Sequence, residues 1–283
     1  QVNMKTVDLT VIITSFHSRN KIFNCINSIE KNIKVIVIEN SNDQILKKEI
    51  QSNYQNVECI LSEENLGYGA GNNLGLSMVK TSYALILNPD VTLINGAISK
   101  FFLTINNLKD FGVIAPVSLN EKYNNFNIAV DKEIKEVDNV KGFAMFLNMK
   151  NLKKINFFDD NFFLYFEEID LCRRLKKNNS KIFIDPTIEV NHLGGTSHNS
   201  EIEKPMELSR NWHWMWSTFY FHKKHYGYLS AVIKILPKLF SSFFKFIIFF
   251  ITFQKSKSEI YKHRLLGIIN SILLRKSSFR PKL

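Results

Sequence analysis

The sequence predicts an α/β protein whose mostly parallel sheet is flanked by helices. Short apolar runs rich in β-branched residues alternate with segments in which apolar residues recur at helical spacing. The runs are continuously apolar, which is typical of strands buried on both faces of a parallel sheet. Polar, glycine-rich or acidic residues follow the runs, and ligands bind at the carboxyl ends of such strands. The sequence therefore predicts both a fold class and the edge of the sheet that carries function.

The first two repeats each contain a strand, a loop and a helix. Residues 9–13 form the first apolar run, and apolar residues then recur at helical spacing between residues 19 and 29. Residues 35–38 form the second run, which a polar loop separates from a helix at about 44–54. Strands joined through a helix in this way are expected to be parallel.

The next two runs lead into the most distinctive loops. Residues 59–61 precede a loop rich in glycine and asparagine and a helix that ends near Lys80. Residues 84–87 run directly into an Asn-Pro-Asp sequence, which places Asp90 where a buried strand ends. Purely structural interpretations stay open, because Asn-Pro-Asp is also an ordinary turn sequence and the glycines also suit close helix packing.

The elements become less regular after residue 90. Further strands are expected at 112–117 and 142–147, and the Asn-rich stretch 120–139 is typical of a mobile loop or lid. An aromatic run at 162–166 then precedes a cluster of acids at 167–170. These acids are candidates for general acid and base chemistry, or for first-turn residues that compensate a helix dipole.

Charge is distributed unevenly along the 283 residues. Residues 1–203 carry 22 Lys and Arg against 24 Asp and Glu, whereas residues 204–283 carry 15 against 2, so the formal charge of +11 arises in the C-terminal region. This asymmetry predicts an acidic partner surface, for which anionic lipid and nucleic acid are the candidates. The three cysteines are odd in number and lack metal-type spacing, which favours reduced thiols in a reducing compartment.

A late change of composition predicts the domain organisation. Residues 1–203 are expected to form one domain that carries the loops at the strand ends. Residues 204–283 are expected to form an aromatic, basic, helical region that associates with a membrane. Residues 1–8 lack the apolar stretch of a signal peptide, so the catalytic part is expected to face the cytoplasm.

The apolar segment 229–253 decides what the C-terminal region can do. Lys234, Lys238 and Lys245 recur along one helical stripe of this segment. A membrane-spanning helix needs roughly twenty nearly uncharged residues, so a helix that lies in the membrane interface fits better, while a buried oligomer contact stays open. The tryptophans at 212–216 fit either packing of this region or the aromatic belt of a membrane interface.

Taken in order, the motifs resemble those of the bacterial family 2 glycosyltransferases with the GT-A fold, in particular the rhamnosyltransferase-like branch. The resemblance covers about residues 7–228 and is carried by several motifs in the family's order rather than by one pattern. These motifs are residues 11–18, 37–41, 64–73, 87–90, 162–174 and 192–197. The resemblance implies a Rossmann-like nucleotide-sugar transferase. Residues 1–203 would be its catalytic domain, with a nucleotide-binding half at about 7–117 and an acceptor and base half at about 118–203.

The resemblance also implies which residues bind the donor nucleotide. Glu39, at the end of the second strand, would accept a hydrogen bond from the pyrimidine base. The implied donor-binding set is Thr14, Phe16, His17, Glu39, Asn65, Gly67, Asn72, Asn88 and Asp90. The chain departs from the family's usual residues in having Phe-His for Tyr-Asn at 16–17, Glu for Asp at Glu39, and Glu-Glu for Glu-Asp at 167–168. Asn88 in place of a first aspartate is common in the rhamnosyltransferase-like branch.

A metal site and a catalytic base follow from the same resemblance. Asp90 and His192 would hold Mn²⁺ or Mg²⁺, and Glu167 and Glu168 would be the catalytic acids, with Glu168 as the general base. A divalent cation answers the charge that develops on a departing diphosphate, and Mn²⁺ accepts both carboxylate and imidazole ligands. One base within reach of the acceptor hydroxyl predicts a single displacement with inversion at the anomeric carbon.

The expected function is therefore transfer of a sugar by an inverting, metal-dependent glycosyltransferase. The donor would be dTDP-rhamnose or a UDP-sugar, and the acceptor a lipid-linked saccharide used for a cell-surface polysaccharide such as O-antigen. The enzyme would be a peripheral protein of the cytoplasmic face of the inner membrane. It could form a homo-oligomer. One alternative is a nucleotide- or saccharide-binding protein of the same fold without activity. Nucleic-acid binding through the basic region ranks lower, because the apolar helix suits lipid better.

Overall fold

A computed structural model describes residues 8–108, 110–120, 133–194 and 202–281. The chain divides into two compact units, which we call the sheet unit and the helical unit. The sheet unit contains Gln1–Asp159 and Glu168–Asn199, and the helical unit contains Asp160–Glu167 and Ser200–Leu283. The helical unit thus includes a short segment that lies well before residue 204 in the chain.

Within the described residues the strands of the sheet unit are β1 (Leu9–Ser15), β2 (Lys34–Glu39), β3 (Val57–Leu61), β4 (Tyr83–Leu87), β5 (Val91–Leu93), β6 (Phe111–Ser118), β7 (Lys135–Glu136), β8 (Ala144–Asn148) and β9 (Lys181–His192). They form one sheet with the order β3-β2-β1-β4-β8-β6-β9-β5, in which β7 also pairs with β9. Each apolar run in the sequence that predicts a strand contributes to one. The stretch expected to form a lid, 120–139, contains β7, and its residues 121–132 lie outside the described part of the chain.

Helices connect the strands of the sheet unit. They are α1 (Arg19–Asn27), α2 (Gln44–Asn53), α3 (Gly67–Ser77), α4 (Ala97–Asn107), α5 (Met149–Lys153) and α6 (Glu167–Lys177), of which α6 begins with the last residue of the helical unit. The helix predicted from the spacing of Ile22, Ile26 and Ile29 and the helix predicted at about 44–54 are confirmed as α1 and α2, although α1 ends before Ile29. The third helix ends at Ser77, three residues before the predicted end.

The sheet is mixed. Strands β3, β2, β1 and β4 pair in parallel, as the sequence predicts. In contrast, β8 is antiparallel to both β4 and β6, and β5 is antiparallel to β9. An apolar run indicates a buried strand in either direction, and the direction depends on how the connecting segments cross the sheet.

The carboxyl ends of the parallel strands lie at one edge of the sheet. In the register, Ser15 pairs with Glu39, Glu39 with Leu61, and Ile13 with Leu87. Both faces of the sheet are buried, because Val11 and Ile13 belong to one hydrophobic cluster and Ile12 to the other. The predicted common edge is confirmed, and helices hold it from both faces.

The helical unit contains α7 (Glu203–Tyr226), α8 (Tyr228–Ile251) and α9 (Lys255–Ile272). Its core is formed by Met215, Phe219, Ala231, Ile235 and Ile268. Helix α9 lies so close to α7 that a Cβ atom on Gly267 would overlap the carbonyl oxygen of Trp212. A residue larger than glycine would force the two helices apart.

The tryptophans of α7 have different environments. Trp212 and Trp216 are buried and stack on each other, with 6.4 Å between their ring centroids. The indole N–H of Trp216 donates to the carbonyl oxygen of Arg275 at 3.0 Å. Trp214, in contrast, is 42% exposed. Two of the three tryptophans therefore pack the helical unit itself.

Helix α8 exposes an apolar stripe along its length. The stripe consists of large side chains that recur at three- and four-residue intervals: Leu229, Ile233, Leu236, Phe240, Phe243, Phe244, Ile248 and Ile251. Ala231 and Ile235 on another side of α8 are fully buried. None of the described helices combines the length and apolar character that crossing a membrane would require.

Candidate functional site

The register between β5 and β9 brings Asp90 next to His192. Val91 pairs with His192 across the two antiparallel strands, and the backbone N–H of Leu193 donates to the carbonyl oxygen of Asp90 at 3.2 Å. Asp90 and His192 are both buried residues, at 4% and 8% exposure. Asp90 Oδ1 lies 3.7 Å from His192 Nε2. Two residues that are distant in sequence thus present an oxygen and a nitrogen to the same space.

This pair suits a divalent cation. The distance of 3.7 Å is too long for a hydrogen bond, and Asp90 Oδ1 is buried without a hydrogen-bond partner among the described residues. A buried carboxylate oxygen without a partner costs free energy unless a cation or donor satisfies it. Carboxylate and imidazole are both ligands that Mn²⁺ accepts. Within the described residues no group of three His, Cys, Asp or Glu side chains could hold a metal ion, so this pair would supply two ligands.

Phe143 and the turn after β4 hold both candidate ligands. The backbone N–H of Asn88 donates to the carbonyl oxygen of Phe143 at 2.8 Å, and that of Val91 donates to the carbonyl oxygen of Asn88 at 3.0 Å. The ring of Phe143 stacks on the imidazole of His192 at a centroid distance of 4.6 Å. The Asn-Pro-Asp sequence is therefore a turn, and it is one that presents Asp90 beside a positioned histidine.

The cysteines contribute no nucleophile to this site. All three are free and buried. Burial, and to a lesser degree the charge of Asp90, raises the pKa of the Cys25 thiol far above its usual range. The Cys25 thiol donates to the carbonyl oxygen of Asn88 at 3.6 Å. Cys25 therefore supports the turn as a neutral thiol.

Helix α3 packs tightly against the end of β1. The hydroxyl of Thr14 donates to Asn72 Oδ1 at 2.9 Å, and a Cβ atom on Gly71 would lie 2.7 Å from Thr14 Cγ2. A Cβ atom on Gly75 would lie 2.7 Å from Ile12 Cγ2. Gly71 and Gly75 thus permit close helix packing. Asn72 is fully buried, and its Nδ2 has no hydrogen-bond partner among the described residues.

The carboxylate of Glu39 organises the loop that follows β2. Glu39 is fully buried and accepts hydrogen bonds from the backbone N–H and hydroxyl of Ser41. It also accepts the backbone N–H of Asp43 at 2.7 Å. The loop thus uses both carboxylate oxygens. Contact of Glu39 with a pyrimidine base stays a prediction.

A hydrogen-bonded cluster at this edge was not predicted from the sequence. Asn40 Nδ2 donates to the carbonyl oxygen of Gly67 at 3.0 Å, and the hydroxyl of Ser62 donates to Asn40 Oδ1 at 3.0 Å. Asn65 Oδ1 accepts the backbone N–H of Gly67 at 3.0 Å, and Gly67 has a φ of 81° that favours glycine. The cluster joins the ends of β2 and β3 to the start of α3. Its one sequence signal is that Asn40 and Ser62 each follow a strand directly.

The loop after β1 carries the remaining predicted donor residues. His17 has a φ of 50°, and its backbone N–H lies 3.4 Å from the hydroxyl of Ser41. The rings of Phe16 and His17 meet edge to face at 4.6 Å. Both side chains are half-buried. They therefore remain accessible next to the loop that Glu39 organises.

Glu168 lies in the first turn of α6 with a carboxyl suited to accept a proton. Burial raises its pKa from 4.5 to about 7, although hydrogen bonds from the backbone N–H groups of Glu168 and Ile169 act in the opposite direction. A general base works best when its pKa is near the operating pH. Glu168 is half-buried, and Glu167, the preceding residue, is buried. Asp170 forms an ion pair with Arg174 at 2.7 Å, so it braces the helix.

The backbone immediately before α6 is strained. Tyr165 and Phe166 have φ values of 70° and 71°. Bulky residues rarely adopt this backbone conformation, and those that do are often found at functional sites. Contacts within the helical unit hold this conformation. The hydroxyl of Ser217 donates to the carbonyl oxygen of Leu164 at 2.8 Å, and the Phe166 ring packs on Phe221 at 5.2 Å.

The structure leaves part of one motif undescribed. His192 and Gly194 lie in the described part of the chain, whereas residues 195–197 do not. The contacts above bring together Asp90 with His192, Thr14 with Asn72, and Asn65 with Gly67. They leave Glu167 and Glu168 at the start of a separate element, α6.

The fold is that of the GT-A class. The sequence matches the model of glycosyl transferase family 2 over residues 10–173. The chain therefore belongs to glycosyl transferase family 2, as its motifs predict.

Two curated relatives have names that concern glycan synthesis. The low-salt glycan biosynthesis hexosyltransferase Agl10 of Haloferax volcanii is 26% identical over 198 residues, which is 62% of this chain and 64% of the relative. The rhamnosyltransferase WbbL of Escherichia coli is 26% identical over 232 residues, which is 70% of this chain and 85% of the relative. The chain thus spans less than two thirds of the length of the Haloferax protein.

Two solved structures share the fold. The structure of GalNAc-T7 with UDP, GalNAc and Mn²⁺ has a TM-score of 0.56 and 10% identity, and covers 78% of this chain and 52% of that chain. The structure of S. aureus TarS 1-349 in complex with UDP has a TM-score of 0.54 and 13% identity, and covers 94% and 92% respectively. At such identities the likeness shows the fold alone, which is GT-A.

Proposed function

We propose that the protein is an inverting, metal-dependent glycosyltransferase that moves a sugar from a nucleoside diphosphate to a saccharide acceptor. The observation that carries this proposal is the buried pair of Asp90 and His192 at the end of β4, in which Asp90 Oδ1 has no hydrogen-bond partner among the described residues. Membership of glycosyl transferase family 2 supports the reaction class.

Each candidate residue has a distinct part in the proposed reaction. Asp90 and His192 would hold the divalent cation, which when bound neutralises charge on the donor diphosphate. Glu168, with a pKa of about 7, would accept the proton of the acceptor hydroxyl as its oxygen attacks the anomeric carbon. The attacking oxygen and the departing diphosphate lie on opposite sides of that carbon, so the configuration inverts.

Rhamnose from dTDP-rhamnose is the donor that we favour. The support is the resemblance of the Asn-Pro-Asp motif ending at Asp90 to the rhamnosyltransferase-like branch, together with the relative that is named a rhamnosyltransferase. The proposed acceptor is a lipid-linked saccharide for a cell-surface polysaccharide such as O-antigen. The relative that is named for glycan biosynthesis supports an acceptor of this class.

A peripheral position on the cytoplasmic face of the inner membrane is part of the same proposal. Residues 204–283 carry 15 Lys and Arg against 2 Asp and Glu, and α8 exposes an apolar stripe that includes Phe240, Phe243 and Phe244. A helix with such a stripe can lie in the membrane interface, and each basic residue near an anionic surface contributes about 1 kcal/mol. The acceptor lipid would then lie in the same surface.

A thermal-shift panel tests the donor site. UDP, dTDP, GDP and CMP are each added to the full chain with and without Mn²⁺ or Mg²⁺, because a ligand that binds only the folded state raises its melting temperature. We expect a metal-dependent shift with dTDP. A preference for UDP would keep the reaction class and change the sugar. The absence of a shift with every nucleotide would contradict the proposed function.

A further inference from the structure

A cavity of about 310 Å³ is formed by residues of the helical unit alone. It is lined by Tyr165, Glu207, Arg210, Asn211, Trp214 and Arg264. Its volume is at the lower end of the range for small-molecule sites. None of these side chains has a part in the proposed metal site or donor site. The lining combines two guanidinium groups, a carboxylate, an amide and two aromatic rings. Such a lining suits a ligand that has polar groups and an apolar face that can pack on an aromatic ring.

Arg264 is held in place with its terminal amino groups available. Its Nε donates to Asn211 Oδ1 at 2.7 Å, and its guanidinium carbon lies 5.1 Å from the ring centroid of Tyr261. Asn211 is itself fixed, because its Nδ2 donates to the carbonyl oxygen of Glu207 at 2.8 Å. Among the described residues no carboxylate forms an ion pair with Arg264. A positioned guanidinium with free terminal donors is suited to bidentate binding of a phosphate.

Arg210 and Glu207 make the cavity selective for a ligand that carries hydroxyl groups as well as a negative charge. Arg210 is half-buried and forms an ion pair with Glu203, which holds it beside the cavity. The carboxylate of Glu207 would repel a free anion and would accept hydrogen bonds from hydroxyl groups. A ligand that carries both a phosphate and hydroxyl groups satisfies this combination of residues.

Trp214 supplies an aromatic surface that is already held in position. Tyr165 meets it edge to face at 5.2 Å, and Lys238 Nζ lies 5.9 Å from the centroid of its ring. It nevertheless remains 42% exposed, in contrast to Trp212 and Trp216. An exposed, immobilised ring beside polar groups is suited to pack against the apolar face of a sugar.

One residue of the cavity lies close in sequence to the candidate base. Tyr165 lines the cavity and precedes Glu168 by three residues. The aromatic segment that leads into Glu168 therefore also contributes to the cavity.

We propose that this cavity binds a phosphate-bearing saccharide, with the sugar against Trp214 and the phosphate on Arg264. We further propose that it is the acceptor subsite, and this second step rests on the proposed function. The ligand chemistry is shared by the phosphate-linked end of a lipid acceptor and by a soluble sugar phosphate.

The three tryptophans allow a direct binding test by NMR. The full chain is labelled with ¹⁵N at its indole groups and titrated with glucose 1-phosphate, and separately with glucose and with inorganic phosphate. We expect the Trp214 indole signal to shift and saturate with glucose 1-phosphate, while those of Trp212 and Trp216 serve as buried internal controls. Inorganic phosphate or glucose alone is expected to bind more weakly, because each satisfies part of the lining.

Matched variants separate recognition from charge. Arg264→Ala is expected to weaken glucose 1-phosphate binding at least about tenfold, because charge-assisted hydrogen bonds to the phosphate are lost. Lys262→Ala removes the same charge from an exposed position of α9 and is expected to change the affinity less than about twofold. Equal weakening by the two variants, or the lack of a Trp214 shift in the unmodified protein, would overturn the proposal.

Further arms identify the source of the phosphate. A Trp214 shift with phosphatidylglycerol vesicles but not with glucose 1-phosphate would overturn saccharide binding in favour of a lipid headgroup. If transfer is measured with a lipid-linked acceptor, Arg264→Ala should raise the acceptor KM and leave the donor KM unchanged. A chain that binds glucose 1-phosphate at Trp214 but transfers no sugar would support this site and contradict the proposed function.

Discussion

The sheet unit and the helical unit differ in the groups that lack a favourable partner, which are buried polar atoms in one and exposed apolar side chains in the other. At the ends of β1 and β4 and on α3, the sheet unit buries polar atoms that have no hydrogen-bond partner among the described residues: Ser15 Oγ, Asn72 Nδ2 and Asp90 Oδ1. The helical unit instead exposes large apolar side chains along α8. Buried polar atoms gain from a small polar ligand or a cation, whereas an exposed apolar stripe gains from an apolar partner.

Charge separates the two regions in the same way. Residues 1–203 are nearly balanced, whereas residues 204–283 carry a large basic excess. Where acidic and basic residues are nearly equal in number, the pKa of each buried carboxylate is set by its local environment rather than by a large net charge. Such a region suits catalysis. A basic surface beside an apolar stripe suits attachment to an anionic interface. The comparison predicts that chemistry and attachment can be disrupted independently.

Glu168→Gln is expected to have the largest effect on turnover and none on membrane attachment. Loss of a general base typically lowers turnover by about 10²–10⁴-fold. In the unmodified protein, turnover should rise with pH through about 7 because Glu168 must be deprotonated, and this rise should disappear in the variant. Donor binding should be unchanged. Turnover is measured by product formation across pH, and a variant with an unaltered profile would disprove the base assignment.

The same variant has a predictable effect on stability. The raised pKa of Glu168 means that its contribution to stability is present below pH 4.5 and is lost as pH rises through about 7. Glu168→Gln should therefore be more stable than the unmodified protein at pH 8 and similar to it at pH 4.5. Glu58→Gln, which removes a surface carboxylate of the same unit, serves as the control in thermal unfolding.

Asp90→Asn is expected to act on the metal rather than on the base. Mutation of a residue that only hydrogen-bonds to a metal ligand typically lowers metal affinity by about 10–100-fold. Loss of a ligand itself should therefore raise the half-saturating Mn²⁺ concentration by about 100-fold. The readout is the Mn²⁺ dependence of the nucleotide-induced thermal shift. Asp185→Asn is the control, because Asp185 is also buried but its carboxylate accepts hydrogen bonds from Thr104 and Thr187. Equal metal dependence in both variants would rule out Asp90 as a ligand.

Acid is expected to destabilise the helical unit through His213. Its Nε2 donates to the carbonyl oxygen of Phe279 at 2.8 Å, and its Nδ1 accepts the hydroxyl of Ser277. Burial lowers the pKa of His213 to about 3, so its contribution to stability is full above pH 6.5 and is lost as pH falls toward 3. At pH 5 the loss should be on the order of 2 kcal/mol.

Tryptophan fluorescence during urea unfolding measures this loss, because all three tryptophans lie in the helical unit. His213→Gln removes the titrating group, so its unfolding free energy should change less between pH 7 and pH 5. A variant with the same pH dependence as the unmodified protein would show that another group is responsible.

Phe240→Ser is expected to have the smallest of these effects, and it falls on attachment alone. Phe240 is 56% exposed, and full burial of a phenylalanine side chain is worth about 1.5–3 kcal/mol, so its loss should weaken binding to anionic vesicles about tenfold. Ile45→Ser, at a 67% exposed position on α2 of the sheet unit, is the control. Cosedimentation that responds equally to both substitutions would argue against α8 as the attachment surface.

Much of the sheet unit could be predicted from the sequence, because local patterns determine it. The apolar runs and helical periodicity locate β1 to β4 with α1 to α3, and the Asn-Pro-Asp sequence is the turn that presents Asp90. The role of Glu39 shows the limit of motif transfer. Its position at the end of β2 was predicted, but the bonds that its carboxylate forms with Ser41 and Asp43 depend on how the loop folds back.

The sequence alone establishes the order of elements, the polar residues at the strand ends and the basic excess of the C-terminal region. These follow from spacing and composition, which are local properties. The three-dimensional fold is needed to show that Asp90 lies beside His192, that Asn40 and Ser62 join two strand ends, and that Tyr165 shares a cavity with Trp214 and Arg264. Strand register and helix packing bring together side chains from distant parts of the chain, and no local pattern encodes those distances.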